Sequence, residues 1–339
     1  MSETNIKMLQ IFFFEKMKTF KKMSSVTNDE FNENNTLAIC FDYQKNLPLP
    51  VTNIQDEYYK RQLWLHNFGI HDLKKNQATM YLYPEHYAQK GPDEVISCLS
   101  DYIEVHKTSL QTNLIIFCDN CFSQNKNKFL FAYLDTLTSQ EIFSHIEVIY
   151  PVPGHSMMPI DSDFGAIEKK RIKEEKVYSP DSYVTLIKNC KKKNPFEIVF
   201  VEHSLDSASS STEENIRVIH VQNYKETMNA KLKSSNPGIS KARRLVFQTR
   251  SKPMLYLENG KGSAMNLYNV GISKTNFAQQ LVYNNKYESL IPVKIAKKKD
   301  IEFLIEFIPP EYRDFYRRIP PTEPNAEYLD LDDSDIDFE

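Results

Sequence analysis

Asp42, Asp119, Asp161 and Glu168 are the side chains of this sequence best placed to do chemistry, and that chemistry would be the binding of hard divalent cations. Each interrupts, ends or follows an apolar stretch: Asp42 in LAICFDYQ, Asp119 at the end of LIIFCD, Asp161 and Glu168 in PIDSDFGAIEKK. Mg²⁺ and Mn²⁺ take oxygen ligands and keep bound waters, so carboxylates delivered by separate elements suit them. Two such ions ~3.5–4 Å apart can activate a water or a sugar hydroxyl and stabilise the leaving oxygen of a phosphodiester. His155, in the loop PVPGHSMMP, either orients a nucleophile or contacts a phosphate at such a centre, or hydrogen-bonds its own loop. Taken singly the acids say less. Asp42 reads equally as a surface strand residue, and Asp119 as a turn former closing a strand.

The elements that must position them follow from apolar patterning. Leu37–Gln44, Gln62–Ile70 and Ala78–Tyr83 read as three strands, able to form an antiparallel meander. Gly91-Pro92-Asp93-Glu94 opens a helix running to about Lys107. A strand at Asn113–Cys118, a helix at Lys128–Leu137, a strand at Ile146–Tyr150 and a charged helix from about Asp161 to Lys176 complete the order β-β-β-α-β-α-β-α. That order predicts an α/β fold, a mixed five-stranded sheet with helices on both faces. If the first and fourth strands are neighbours, Asp42 and Asp119 meet.

Helical geometry sorts the remaining acids. At ~100° per residue, Asp161 and Glu168 lie within ~20° of each other, flanked by apolar Phe164 and Ile167, while Asp163 sits ~200° from Asp161 and points away. Which of the three serves as a metal ligand depends on where the helix begins. Gln124, Asn125, Lys126 and Lys128 adjoin Asp119 and suit phosphate contacts, or equally a solvated helix start. Basic clusters at Lys169–Arg171, Lys191–Lys193, Lys241–Arg244 and Lys297–Lys299 would make a phosphate track if several shared a face.

Bulk composition narrows the classes. The chain has 339 residues but only 8 glycines, and neither GxGxxG nor GxxxxGK[ST] occurs, which argues against a glycine-rich nucleotide loop. The stretch 321–339 holds eight of the 45 acids and no base, so the rest carries 42 basic against 37 acidic residues: a mildly basic body with an acidic, disordered tail. Five cysteines without framework spacing fit reduced thiols inside a cell, and the lone Cys118-x-x-Cys121 is weak evidence for zinc. No apolar run is long enough to span a membrane. Residues 1–36 read as an N-terminal extension and linker, 37–202 as the main domain, 203–215 as a serine-rich linker, and 216–320 as a small β-rich module ending in a helix.

Three stretches, FDYQKNLPLP, FCDNCFSQNKNK and GHSMMPIDSDFGAIE, together resemble a family of transposon-derived proteins found widely in animal genomes, whose members look like ribonuclease-H-fold, integrase-like domains. The resemblance runs from about Thr36 to Arg318, and KKDIEFLIEFIPPEYRDFY is similar to the family's C-terminal end. It implies a ribonuclease-H-like core, with the family's acids on Asp42, Asp119 and Asp161 and with Asp163 and Glu168 inside its motif. Taken with the carboxylate set, the expectation is metal-dependent cleavage or strand transfer on nucleic acid, with Mg²⁺ or Mn²⁺ as cofactor. DNA is then the expected partner with RNA kept open and the nucleus the expected location, while a homo-oligomer is one of the assemblies left open. The rival expectation is a binding module that keeps the fold without catalysis.

Overall fold

A computed structural model describes residues 13–18, 35–152, 157–203, 216–229, 239–257, 264–266 and 282–323. Its strands are β1 (Thr36–Tyr43), β2 (Leu47–Leu49), β3 (Leu63–Asp72), β4 (Gln77–Pro84), β5 (Asn113–Cys118), β6 (His145–Ile149), β7 (Glu197–Val201), β8 (Arg217–Ile219), β9 (Arg244–Gln248), β10 (Met254–Tyr256) and β11 (Ala264–Asn266). Its helices are α1 (13–18), α2 (Pro92–His106), α3 (Lys128–Ser139), α4 (Pro159–Arg171), α5 (Pro180–Lys188), α6 (Tyr224–Asn229), α7 (Ile295–Leu304) and α8 (Pro310–Arg317).

The fold is α/β, built on one mixed sheet of order β11-β10-β9-β6-β5-β1-β3-β4-β7-β8, with β2 pairing β3 beside that path. β1 lies centrally, antiparallel to β3 and parallel to β5. β5 and β6 are parallel, and β3 and β4 antiparallel. Central strands such as β5 (NLIIFC) are apolar at every other position on both faces because both faces are covered. One face packs Leu37, Ile39 and Phe41 of β1 with Leu114 and Ile116 of β5 under α2 and α3. The other packs Ala38, Cys40, Ile115 and Phe117 under α4, α5 and α7, with Phe13 and Met17 of α1 joining them.

The runs after residue 215 do not form the separate module expected from the sequence. β8 pairs in parallel with β7 at one edge, and β9 pairs antiparallel with β6, carrying β10 and β11 beyond it. An edge strand offers a row of unpaired backbone groups, and these short runs supply partners for both edges. Lys286 and Tyr287 reach back to the start of α2: Glu94, buried there, accepts from Lys286 Nζ at 2.7 Å and from Tyr287 Oη at 2.5 Å. The charged helix is also shorter than expected, since α4 starts at Pro159 and ends at Arg171. The acidic stretch from residue 324, the linker at 204–215 and most of the N-terminal extension lie outside the described residues. Among the described residues no helix is long and apolar enough to cross a membrane.

Gly69 brings α4 down onto the sheet. It is the β3 partner of Asp42, and a Cβ built there would stand 2.5 Å from Ile160 Cδ1 and 2.8 Å from Phe164 Cε1. Such contacts do not occur between real atoms, so α4 seats here because position 69 has no side chain. Gly69→Ala should therefore cost about 1–3 kcal/mol by overpacking, measured by equilibrium urea unfolding.

Candidate functional site

β1 and β5 end side by side. Their parallel register pairs Phe41 with Cys118, so the next residues, Asp42 and Asp119, emerge as neighbours at the C-terminal end of the sheet's centre. Asp42 follows Cys40 by two residues and so faces α4. Ile160 and Phe164 of α4 sit over Gly69, directly across from Asp42, which puts Asp161 of the first helical turn above the same spot. The carboxyl ends of parallel strands are where open α/β sheets commonly bind ligands.

Local structure fixes one oxygen of each aspartate. Tyr43 N–H donates to Asp42 Oδ1 at 2.7 Å. Asp119 Oδ1 accepts from Cys121 N at 3.1 Å and from Asn125 Nδ2. Asp161 Oδ2 accepts from Met158 N at 2.6 Å, closing the N-terminus of α4. The 119–127 loop is closed at its far end by Asn127, whose Oδ1 caps α3 by accepting from Phe129 N and Leu130 N. Each aspartate thus keeps its other oxygen clear of these bonds.

The three charges act on one another. Burial, then the charge of Asp119, with Asp161 adding to both, pushes the Asp42 carboxyl up to about 8, against the Tyr43 N–H and the charge of Lys90. Burial raises Asp119 too, opposed by its bonds from Cys121 and Asn125 and by Lys126. Asp161 is raised by burial and by Asp119, against the Met158 N–H. Carboxylates crowded in this way favour protonation unless a cation joins them.

A raised acid binds its proton more tightly folded than unfolded, so stability falls as pH rises past the unfolded value. The metal-free protein should lose stability between an unfolded Asp value of about 4 and the folded value of about 8. Asp42→Asn should flatten that slope, as read from melting temperature against pH in a chelator.

Other predicted site residues are placed differently. Glu168 shares the Asp161 face, as the helical angle required, but stands two turns further along, ~10 Å up the axis. Arg171 holds both its oxygens, at 2.6 and 2.8 Å, and this pairing keeps its carboxyl below the ordinary value against burial; Glu168 is not among the charges that shift the three aspartates. Asp163 turns away, as expected, and is buried against His71 and Lys191. Asn125, expected to face a phosphate, is turned inward to support Asp119 and is 1 % exposed. Lys126 is buried as well, donating to Asn120 Oδ1 at 2.9 Å. Gln124 is half-buried and its carbonyl accepts from Asn127, while Lys128 lies over the Phe129 ring. His155 lies outside the described residues.

Cys118 is buried in β5, Cys121 lies beside Ser123 Oγ, and both are free thiols. Among the described residues no group of three or more His, Cys, Asp or Glu side chains stands ready to hold a metal ion. Sequence reasoning missed Gly69 and Lys90. The glycine inside QLWLHNFGIHD was the available signal, since a glycine within a strand often marks close approach of another element. Lys90 carried none.

No curated protein matches the chain. A family model does, over residues 55–248, a span that takes in Asp119 and Asp161 while β1 and Asp42 lie ahead of it. That match covers more than half of the sequence, and the chain belongs to the family described as a domain of unknown function, DUF7869.

Proposed function

We propose that this chain is a transposon-derived, divalent-metal-dependent domain that cleaves or transfers phosphodiester strands of nucleic acid, on a ribonuclease-H-like core. The observation that carries the reading is the approach of Asp42, Asp119 and Asp161 from three elements, short of a formed metal-holding group, each with one oxygen tied by the backbone or loop and each raising a neighbour's carboxyl or being raised by one. Support for the core comes from the five strands β4-β3-β1-β5-β6, where the central strand is antiparallel to one neighbour and parallel to the other. The donor set fits hard cations: all oxygen, anionic, and destabilised when empty of positive charge.

Asp42, Asp119 and Asp161 would hold Mg²⁺ or Mn²⁺, which supplies Lewis acidity and a more acidic bound water. The chain's own part is to hold the carboxylates in register. β1 and β5 fix two of them by strand pairing, and the α4–Gly69 contact fixes the third. DNA is the proposed partner and the nucleus the proposed place of action.

Calorimetric titration of Mg²⁺ and Mn²⁺ into the wild type and Asp119→Asn, followed by cleavage of labelled oligonucleotides, tests the reading. Saturable binding that the substitution abolishes, with cleavage lost in parallel, is the expected result. No binding by the wild type, with or without a DNA duplex, would replace it with the binding module that keeps the fold without catalysis.

A further inference from the structure

At least one member of each basic cluster is already engaged. Arg171 is paired with Glu168, Lys191 with Asp163, Arg244 with Glu147 and Lys297 with Glu85. Lys298 is buried and donates to the carbonyls of Tyr316 and Arg317. Two cations at the C-terminal end of the sheet are different. Among the described residues, Lys126 of the 119–127 loop and Arg243, just ahead of β9, have no carboxylate among their hydrogen-bonding partners.

Both converge on the residues following β6. Arg243 is held by its backbone, with Tyr150 N donating to its carbonyl at 2.9 Å and its own N–H donating to Tyr256 O at 2.8 Å. Its guanidinium donates to Pro151 O at 3.2 Å, the same carbonyl that accepts from Asn120 Nδ2 at 2.8 Å. Lys126 Nζ lies 4.8 Å from the centre of the Tyr150 ring and donates to the other end of the same Asn120 amide. Asn120 follows Asp119 directly, so this cationic pair borders the three aspartates.

Lys126 is only 4 % exposed. Burial, and then the charge of Arg243, lowers its affinity for a proton to a pKa of about 8, while burial also lowers Arg243. The nearby Asp119 charge partly offsets this at Lys126, but two like charges drawn together still repel until an anion is shared by both. Each has donors left to offer. An ammonium has three and a guanidinium five, and one protein bond from each is seen here.

We propose that Lys126 and Arg243 form a phosphate site beside the three aspartates, which grips the backbone of a nucleic-acid strand. The cationic pair stands on its own geometry; only its ligand rests on the function proposed above. The planar fork of Arg243 suits two oxygens of one phosphate, and the Lys126 ammonium supplies a compact charge. With both cations spent on phosphate oxygens, the pair would position a strand without selecting its sequence.

The test uses the full chain in EDTA, so that metal binding plays no part. Fluorescence polarisation of a labelled single-stranded oligonucleotide is measured across a salt series for wild type, Lys126→Met and Arg243→Gln, with inorganic phosphate as competitor. Methionine keeps the apolar bulk at 126, and half-exposed Arg243 reads the same site if the Lys126 variant fails to fold. Each substitution should weaken binding about tenfold and reduce the slope of log K against log salt by about 1. Variants that bind like the wild type with an unchanged slope would overturn the proposal. Phosphate protection against thermal unfolding that both variants lose, without oligonucleotide binding, would keep the anion site and overturn the strand as its ligand. Magnesium calorimetry on Asp119→Asn reports separately on the carboxylates, so the two readings can fail independently.

Discussion

Asp119→Asn should give a protein that is more stable than the wild type without metal and indifferent to metal when it is added. The asparagine Oδ1 can still accept from Cys121 N and Asn125 Nδ2, so the loop bonds survive. What disappears is the negative charge that raises Asp42 and Asp161, a larger effect than its weaker attraction for Lys126, which shifts Asp119 and Lys126 less than burial and their other neighbours do. Relief of like-charge repulsion in a half-buried setting is worth about 1–3 kcal/mol. The gain should be largest above pH 8, where Asp42 is charged, and fade as Asp42 takes up its proton below that value. Metal at a hundredfold excess over its Kd should stabilise the wild type by about 2.7 kcal/mol and the variant by nothing. Any metal-dependent cleavage should fall by about 10³ or more, equivalent to ~4 kcal/mol of barrier. Urea unfolding with EDTA and with Mg²⁺ separates these effects. A variant less stable than wild type in EDTA would mean that the Asp119 charge serves the fold.

Asp163→Ala should cost about 3–5 kcal/mol, the loss expected when one member of a buried ionic group is removed. Its side chain is 3 % exposed, with Oδ2 2.6 Å from His71 Nδ1 and Oδ1 bonded to Lys191 Nζ. Without it, His71 keeps a buried ring with neither nitrogen partnered among the described residues, since Nε2 already has no partner there. Burial works against the Asp163 charge, but the hydrogen bonds and charges of His71 and Lys191 outweigh it and hold the carboxyl below its ordinary value. The sign is therefore opposite to that at Asp42. A depressed acid contributes stability that is present above the unfolded value of about 4 and is lost as pH falls through the folded value. The variant should unfold at lower urea at pH 7, and its deficit should shrink in acid. Asp163→Asn, which keeps an acceptor for Lys191, should lose less. Asp161 and Asp163 thus face opposite ways from one helical turn, the first toward the site and the second into the anchor that holds the helix.

The strands and the meeting of Asp42 with Asp119 were legible because a strand covered on both faces leaves an unbroken apolar run. The acids ending LAICFD and LIIFCD stand out against it, and the parallel register joins them. The mixed sheet followed from the element order. The height of Glu168 above Asp161 is hidden in the sequence because a helical projection gives angle and omits height. Asn125 looked solvent-facing because nothing local reveals that Asp119 needs a donor. The edge strands β8 and β9 were read as another module because their partners, β7 and β6, are chosen by long-range pairing that short apolar runs do not encode. Arg243 was seen only as part of a basic cluster, and its approach to Lys126 depends on that same pairing.

The bond between Glu94 and Lys286 also has a consequence in time. The two residues are 192 apart in sequence. A ribosome adding about 5–20 residues per second needs roughly 10–40 s to make that stretch. Throughout it the first turn of α2 waits without the ammonium that will neutralise its buried carboxylate. The centre of the sheet is synthesised early and sealed late, so the nascent chain must be kept from aggregating until its last third arrives.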